Sequence, residues 1–192
     1  MKMNPSWIRK IPPVTFLCVF LCLFAYLFFR HDLSELWRTF AFVAGVWHPQ
    51  NLFRLFSSFF VHAGVAPLLG NLYFLYVFSN DVESSSSARN LFLILFGGQC
   101  AGMLMQSLVV PQGTLIGGAN AGIYAVMIYA FFRFPKARLT LFMIAKIGLD
   151  LLLMNMAQVV SEKTSYVALV GGSAFGGLMA LMKMAKKKDN AS

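Results

Sequence analysis

The feature that most constrains this chain is a run of residues without a single charge, from Asn90 to Phe132. As a helix this run would be roughly 64 Å long, enough for two crossings of a ~30 Å hydrocarbon core. Pro111-Gln112-Gly113 lies inside it and predicts the turn between the two helices. Of the 192 residues, 58% are apolar and 12% are charged, about half of the ~25% charged fraction usual in soluble domains. The sequence therefore predicts a membrane protein.

Charged residues delimit the other predicted spans, because a charge in the middle of a bilayer is costly. The segment from His31 to about Phe53 mixes charged residues with Trp47 and Pro49, which predicts an external first loop lying in the membrane interface. We predict an all-α membrane protein with six transmembrane helices. Besides the central pair, its spans are the run between Lys10 and Arg30 and the segments Leu55 to Asn80, Leu139 to Ser161 and Thr164 to Met182.

The formal charge of +9 is interpreted as membrane topology. Eleven of the 16 basic residues fall on the side that holds both termini, so both termini are predicted to be cytoplasmic. The predicted organisation is a cytoplasmic N-terminus over residues 1–10, a membrane domain over 11–182 and a cytoplasmic Lys-rich tail over 183–192. The protein is thus expected to be multi-pass, in the inner or plasma membrane if its source is bacterial. Nucleic-acid binding is excluded because the basic residues form no basic face.

The three cysteines, Cys18, Cys22 and Cys100, lie inside apolar runs. None pairs with a histidine at a metal-ligand spacing, so neither a disulfide framework nor a zinc site is predicted. No cofactor is expected, and the composition predicts the lipid bilayer as a partner.

Polar residues far from any charge are informative, since each needs a partner or a wet cavity. Asn120 lies roughly 20 Å from the cytoplasmic interface by helix rise, Asn71 roughly 15 Å, and Leu169 roughly 9 Å below the outer surface. The three positions are therefore predicted near one level, close to the outer face. The alternative is that Asn120 only caps a helix and Asn71 only makes an interhelical hydrogen bond.

Three spacings predict packing. Gly98-x3-Gly102 and Gly172-x3-Gly176 are small-residue spacings that allow helices to approach closely. Lys146 and Asp150 are four residues apart, which suits an internal ion pair, with Lys146 reaching toward the cytoplasmic side. A proton or ion relay that uses this pair is the alternative, and Asp150→Asn would then abolish a proton-coupled flux.

With these residues the chain resembles the rhomboids, a family of six-span intramembrane serine proteases, from about Arg54 to Gly177. Phe53-Arg54 resembles the family's Trp-Arg, with His62 eight residues later, Asn71 nine after that, and Glu83 twelve further on. The family's Gly-x-Ser-Gly lies over Gly118-Ala119-Asn120-Ala121, with Tyr124 at the tyrosine position. Its His-x-x-Gly-x-x-x-Gly lies over residues 169–176, which include Gly172 and Gly176.

The departures from this pattern fall on the positions of the family's catalytic residues. Asn120 stands where the resemblance places the nucleophilic serine, and Leu169 where it places the general base. An amide does not form an acyl-enzyme as a hydroxyl does, and a leucine accepts no proton. Pro67 stands at the position of the family's other second-span histidine, an oxyanion donor.

The resemblance implies a catalytically inactive pseudoprotease that keeps the frame and binds transmembrane segments of client proteins. Its cavity residues are predicted to be Asn71, Asn120, Tyr124 and His62. The alternative is an active rhomboid-type intramembrane serine endopeptidase with an unorthodox nucleophile, for which Ser173 with Lys146 is the conceivable pair.

Overall fold

The computed structural model describes residues 12–134, 137–156 and 166–189, and most of them are helical. Two short strands, β1 (Phe42–Val43) and β2 (Leu115–Ile116), pair antiparallel, with Phe42 opposite Ile116. The described helices are α1 (Pro13–Phe28), α2 (Leu33–Phe40), α3 (Pro49–Ser57), α4 (Val65–Ser85), α5 (Ala88–Ser107), α6 (Asn120–Arg133), α7 (Ala137–Met156) and α8 (Tyr166–Asp189).

Helix α1 is apolar, and its N-terminus is anchored by a distant carboxylate. Glu83, buried near the end of α4, accepts hydrogen bonds from the backbone N–H groups of Val14 and Thr15, both at 2.9 Å. The hydroxyl of Thr15 also donates to it, at 2.7 Å. The first N–H groups of a helix have no partner within the helix, and a negative charge there is favourable. Glu83 is therefore a structural residue that joins α1 to α4.

The segment between α1 and α4 is folded by side chains that bond to its backbone. Asp32 caps α2, and hydrogen bonds from Ser34 and from the Glu35 N–H lower the pKa of the Asp32 carboxyl below its usual range. The Asn51 amide bonds to the backbone of Val43 and Val46. The Arg54 guanidinium donates to the carbonyl groups of residues 38 and 39 at the end of α2, a helix end that attracts cations.

Helices α3 and α4 do not form the straight span that the apolar run from Leu55 to Asn80 predicts. A 3-10 turn over Ser58–Phe60 follows α3, the chain is extended at Val61, and the two helical pieces are bent by 86°. Helix α4 starts at Val65 after an extended Gly64 and continues to Ser85, with Pro67 in its first turn, where the missing N–H costs nothing. The bend places His62 beside α4, where its Nε2 lies 3.3 Å from Nδ2 of Asn71.

Helices α5, α6 and α8 form the most closely packed part of the bundle. A Cβ atom at Gly98 would lie 2.1 Å from the Ala125 Cβ, and one at Gly102 would lie 2.6 Å from the Ala168 carbonyl oxygen. A Cβ at Gly172 would lie 2.1 Å from the carbonyl oxygen of Ala121. The structure thus confirms that these small-residue spacings are packing contacts.

By length and composition, two described helices can cross a membrane, Ala88–Ser107 and Tyr166–Lys186. The bent pair of α3 and α4 passes the same test as a unit. Within the described residues the number of spans is thus two or three, and six spans remain a prediction.

The predicted turn at Pro111-Gln112-Gly113 is confirmed, with Gly113 at φ +86°. Helix α8 continues past Met182 to Asp189, so the start of the predicted tail is helical. The end of the predicted fifth span lies outside the described residues.

Candidate functional site

The site is organised by the ammonium group of Lys146, which is only 1% exposed. Its Nζ atom lies 2.6 and 2.7 Å from the two carboxylate oxygens of Asp150, one turn further along α7. It also lies 2.8 Å from Oδ1 of Asn120 on α6 and 3.2 Å from Oδ1 of Asn71 on α4. The three protons of the ammonium therefore serve Asp150, Asn120 and Asn71 at once. The predicted ion pair is confirmed, whereas the prediction that Lys146 reaches toward a membrane surface is wrong.

A second layer of hydrogen bonds fixes the orientation of Asn71. Its Nδ2 lies 3.3 Å from Nε2 of His62, and the other ring nitrogen of His62, Nδ1, lies 3.3 Å from the Phe60 carbonyl oxygen. Since an amide nitrogen only donates, Nε2 accepts and Nδ1 carries the proton. His62 is 2% exposed. Hydrogen-bond donation thus runs in one direction, from Lys146 to Asn71, from Asn71 to His62, and from His62 to the carbonyl oxygen of Phe60.

Aromatic rings complete the surroundings of the ammonium. Nζ lies 5.7 Å from the ring centroid of Phe74 on α4 and 5.6 Å from that of Tyr124 on α6. The carboxylate of Asp150 also interacts with the side chain of Tyr124. Ring faces attract cations, and more so where water is excluded. The predicted cavity residues Asn71, Asn120, Tyr124 and His62 therefore do come together, around a lysine that the sequence did not place among them.

The backbone before α6 is irregular, and buried polar groups hold it in place. Gly118 adopts φ +105°, a conformation that L side chains rarely take, and its N–H donates to the Ser58 carbonyl oxygen at 2.9 Å. The fully buried Gln99 donates to the Gly118 carbonyl at 2.9 Å and accepts from the Gly122 N–H at 3.2 Å. Ala119, not Asn120, is the N-cap, and Asn120 is the first helical residue. The interpretation of Asn120 as a helix cap is therefore wrong.

Sequence reasoning missed Gln99 as a site-supporting residue. Its signal is a lone amide inside the apolar run of α5, between Gly98 and Cys100. Such a residue must find a partner in a hydrophobic bundle. Two of its partners lie 19 and 23 residues further along the chain and the third, Ser58, lies 41 residues earlier, so no local pattern identifies them.

Leu169 lies on α8 and is 7% exposed. It belongs to the buried apolar core that also contains Ile123 and Tyr124. One turn later, Gly172 packs directly on the backbone of Ala121, the residue after Asn120. Residues 120 and 169 therefore belong to helix segments that contact each other, with an amide on one and an apolar side chain on the other. Ser173 is partly buried on the same helix. Lys146, its conceivable catalytic partner, bonds instead to Asn71, Asn120 and Asp150.

Fold and site together define an all-α, multi-pass membrane protein with a charged cluster enclosed between its helices. The Rhomboid domain family matches residues 49–186, more than half of the chain. The chain therefore belongs to the rhomboid family. It is also 33% identical over 78 residues to the "Rhomboid-related protein 2" of Mus musculus. That match covers 41% of this chain and 26% of the mouse protein, so the chain spans about a quarter of that relative's length.

Proposed function

We propose that this protein is a rhomboid pseudoprotease: an integral membrane protein that binds transmembrane segments of client proteins and hydrolyses no peptide bond. Asn120 and Leu169 are assigned here to the positions of the family's nucleophile and general base. The observation that carries the proposal is the contact of the Lys146 ammonium with Asn120 and Asn71. The Nζ atom of Lys146, 2.8 Å from Oδ1 of Asn120, thus lies directly beside the position assigned to the nucleophile.

The environment of Lys146 also argues against a serine–lysine mechanism. A lysine that acts as general base needs an unshared electron pair directed at a nearby hydroxyl. Here Nζ is engaged by both carboxylate oxygens of Asp150 and by two amide oxygens. This arrangement supports a structural ion pair rather than an unorthodox catalytic dyad.

Covalent labelling tests the absence of hydrolysis. The purified protein, incubated with a fluorophosphonate probe that modifies activated serines, is expected to remain unlabelled, with an active rhomboid protease as the positive control. Labelling that disappears in Ser173→Ala would contradict the proposal and favour the active-enzyme alternative.

Restoring the dyad tests the assignment of residues 120 and 169. Asn120→Ser with Leu169→His is expected to stay unlabelled, because Lys146 still occupies the place beside residue 120. Adding Lys146→Met and Asp150→Leu removes that obstacle, and fluorophosphonate labelling of this fourfold variant is the expected result. If the fourfold variant folds and remains unlabelled, the two positions are not equivalent to the family's dyad.

The proposed topology has six spans, with both termini cytoplasmic and the Lys-rich end of α8 at the anionic inner leaflet. Reporter fusions test it. A C-terminal green fluorescent protein is expected to fluoresce, and alkaline phosphatase at the same position is expected to be inactive. The reverse pattern would contradict the orientation.

A further inference from the structure

The groups that hold the Lys146 ammonium divide into two sets by the helix that carries them. The carboxylate of Asp150 lies on α7, the same helix as Lys146. The other groups lie on two neighbouring helices. Asn71 and Phe74 belong to α4, and Asn120 and Tyr124 belong to α6. The ion pair is thus internal to α7, whereas the amide oxygens and ring faces belong to the rest of the bundle.

This division decides what is lost if α7 moves away. Lys146 and Asp150 stay paired, because they are one turn apart on one helix. The Oδ1 atoms of Asn71 and Asn120 lose their donor, and an unpaired polar atom in an apolar environment is costly. What remains on α4 and α6 is a receptor for a cation, made of two amide oxygens and two aromatic faces.

Helix α7 has few fully buried apolar side chains, and Phe142, Met143 and Leu149 pack against the core only partly buried. Among its residues with described side chains, the buried ones are Leu139, Lys146 and Asp150, so two of the three are the ion pair. The opposite face is apolar and exposed, at Leu141, Ile144 and Leu152. A helix whose most deeply buried contacts are charge-assisted hydrogen bonds can be exchanged for another that supplies the same bonds.

We propose that the client segments of this protein carry a lysine within the membrane, whose ammonium takes the place of Lys146 between Asn71 and Asn120. The inference rests on the proposed client-binding function and names the class of segment that is bound. A lysine in a lipid-exposed helix lacks partners, and this receptor provides them. The aromatic faces favour a cation over a neutral donor. Throughout the exchange Lys146 keeps Asp150 as its partner.

The test uses synthetic transmembrane peptides and the full-length protein in phosphatidylcholine vesicles. The peptides are leucine-alanine helices that differ at one position, which is lysine, methionine or glutamate, and each is made with that position at three depths. Binding is measured by energy transfer between a dye on the protein's N-terminus and a dye on the peptide. The lysine peptide is expected to bind about tenfold or more tightly than the methionine peptide at one depth, the gain of one charge-assisted hydrogen bond.

Two sets of variants locate the preference. Asn71→Leu with Asn120→Leu is expected to abolish the preference for lysine, whereas Asn90→Leu, which removes a buried amide that bonds to Tyr129 instead, is expected to keep it. Lys146→Met with Asp150→Leu frees the two amide oxygens without leaving a charge, and is expected to tighten binding of the lysine peptide several-fold. Thermal unfolding in detergent shows which variants remain folded.

The outcomes separate this inference from the proposed function. Equal binding of the lysine and methionine peptides to the unmodified protein would overturn the inference and leave client binding intact. A lysine preference that survives loss of both amides in a folded variant would also overturn it. Failure to bind any of the peptides would overturn both proposals.

Discussion

The two sides of helix α6 make different kinds of contact with the neighbouring helices. Toward α8 the contact is made by backbone: a Cβ at Gly172 or Gly176 would lie 2.1 or 2.0 Å from the carbonyl oxygen of Ala121 or Ala125. Toward α4 and α7 the contact at the start of α6 is made by polar side chains around one ammonium group. The first side leaves no room for an added atom, and the second depends on charge.

The difference indicates which part of the bundle can move. Close-packed backbones have one arrangement, because any sliding creates clashes or voids. A charge held by hydrogen bonds is specific in chemistry, yet its partners can be replaced by others of the same kind. We infer that α5, α6 and α8 form a fixed body, and that α7 is joined to it by a polar connection that an equivalent donor can replace.

The largest expected effect comes from breaking the ion pair on one side. Asp150→Leu leaves the Lys146 ammonium buried without its carboxylate, and is expected to lower the free energy of unfolding by about 3–5 kcal/mol. Lys146→Met with Asp150→Leu leaves no uncompensated charge, so it is expected to cost less than the sum of the single changes. Unfolding in mixed micelles measures the free energy of unfolding of Asp150→Leu, of Lys146→Met and of the double variant. Additive costs would show that the two side chains contribute independently.

The next effect tests the close-packed side. Gly176→Ala places a Cβ where the Ala125 carbonyl oxygen lies, and is expected to lower the free energy of unfolding by about 3 kcal/mol, the upper end for overpacking. The neighbouring Gly177 is the matched control, because a Cβ there would lie at an ordinary 3.7 Å from Ile128. Gly177→Ala is expected to cost nothing in the same unfolding measurement and to gain up to the ~0.8–1 kcal/mol by which alanine is favoured over glycine in helices. Equal effects at the two positions would contradict the assignment of Gly176 to a backbone contact.

The close-packed side could be predicted from the sequence, because its signal is local. Gly172 and Gly176 are one turn apart on one helix, and that spacing alone predicts a close approach. The run without charge from Asn90 to Phe132 likewise predicted two helices and the turn between them. Such features need no knowledge of the partner helix.

The polar side could be predicted only in part. The spacing of Lys146 and Asp150 predicted their pairing, since it lies within one helix. The spacing did not predict that the side chain of Lys146 points toward Asn71 and Asn120. Lys146 lies eight residues after Arg138, roughly 12 Å by helix rise, whereas Asn120 lies roughly 20 Å from its own boundary charge. Helix rise ignores the length and direction of the side chain, and the partners are 26 and 75 residues away.

A smaller effect concerns the attachment of α1, which uses neither the close-packed backbone contact nor the Lys146 cluster on the two sides of α6. Glu83→Gln removes the charge that faces the N–H groups of Val14 and Thr15 and turns one acceptor into a donor. We expect a loss of about 1–2 kcal/mol, typical of a helix cap. Hydrogen exchange of the first turn of α1 is expected to become faster. The exposed Glu35 is the control, and Glu35→Gln should leave that exchange unchanged; unaltered exchange in Glu83→Gln would show that the carboxylate is dispensable.

The smallest expected effect has the opposite sign and concerns α7 alone. No described atom outside the helix backbone lies within 4 Å of a Cβ built at Gly148. Alanine is favoured over glycine in helices by ~0.8–1 kcal/mol, so Gly148→Ala is expected to raise the free energy of unfolding by about that amount. The same change at Gly176 is expected to be destabilising. Changes in the free energy of unfolding of opposite sign would show how differently the two helices are packed. A loss of stability in Gly148→Ala would show that this face of α7 is covered in the membrane.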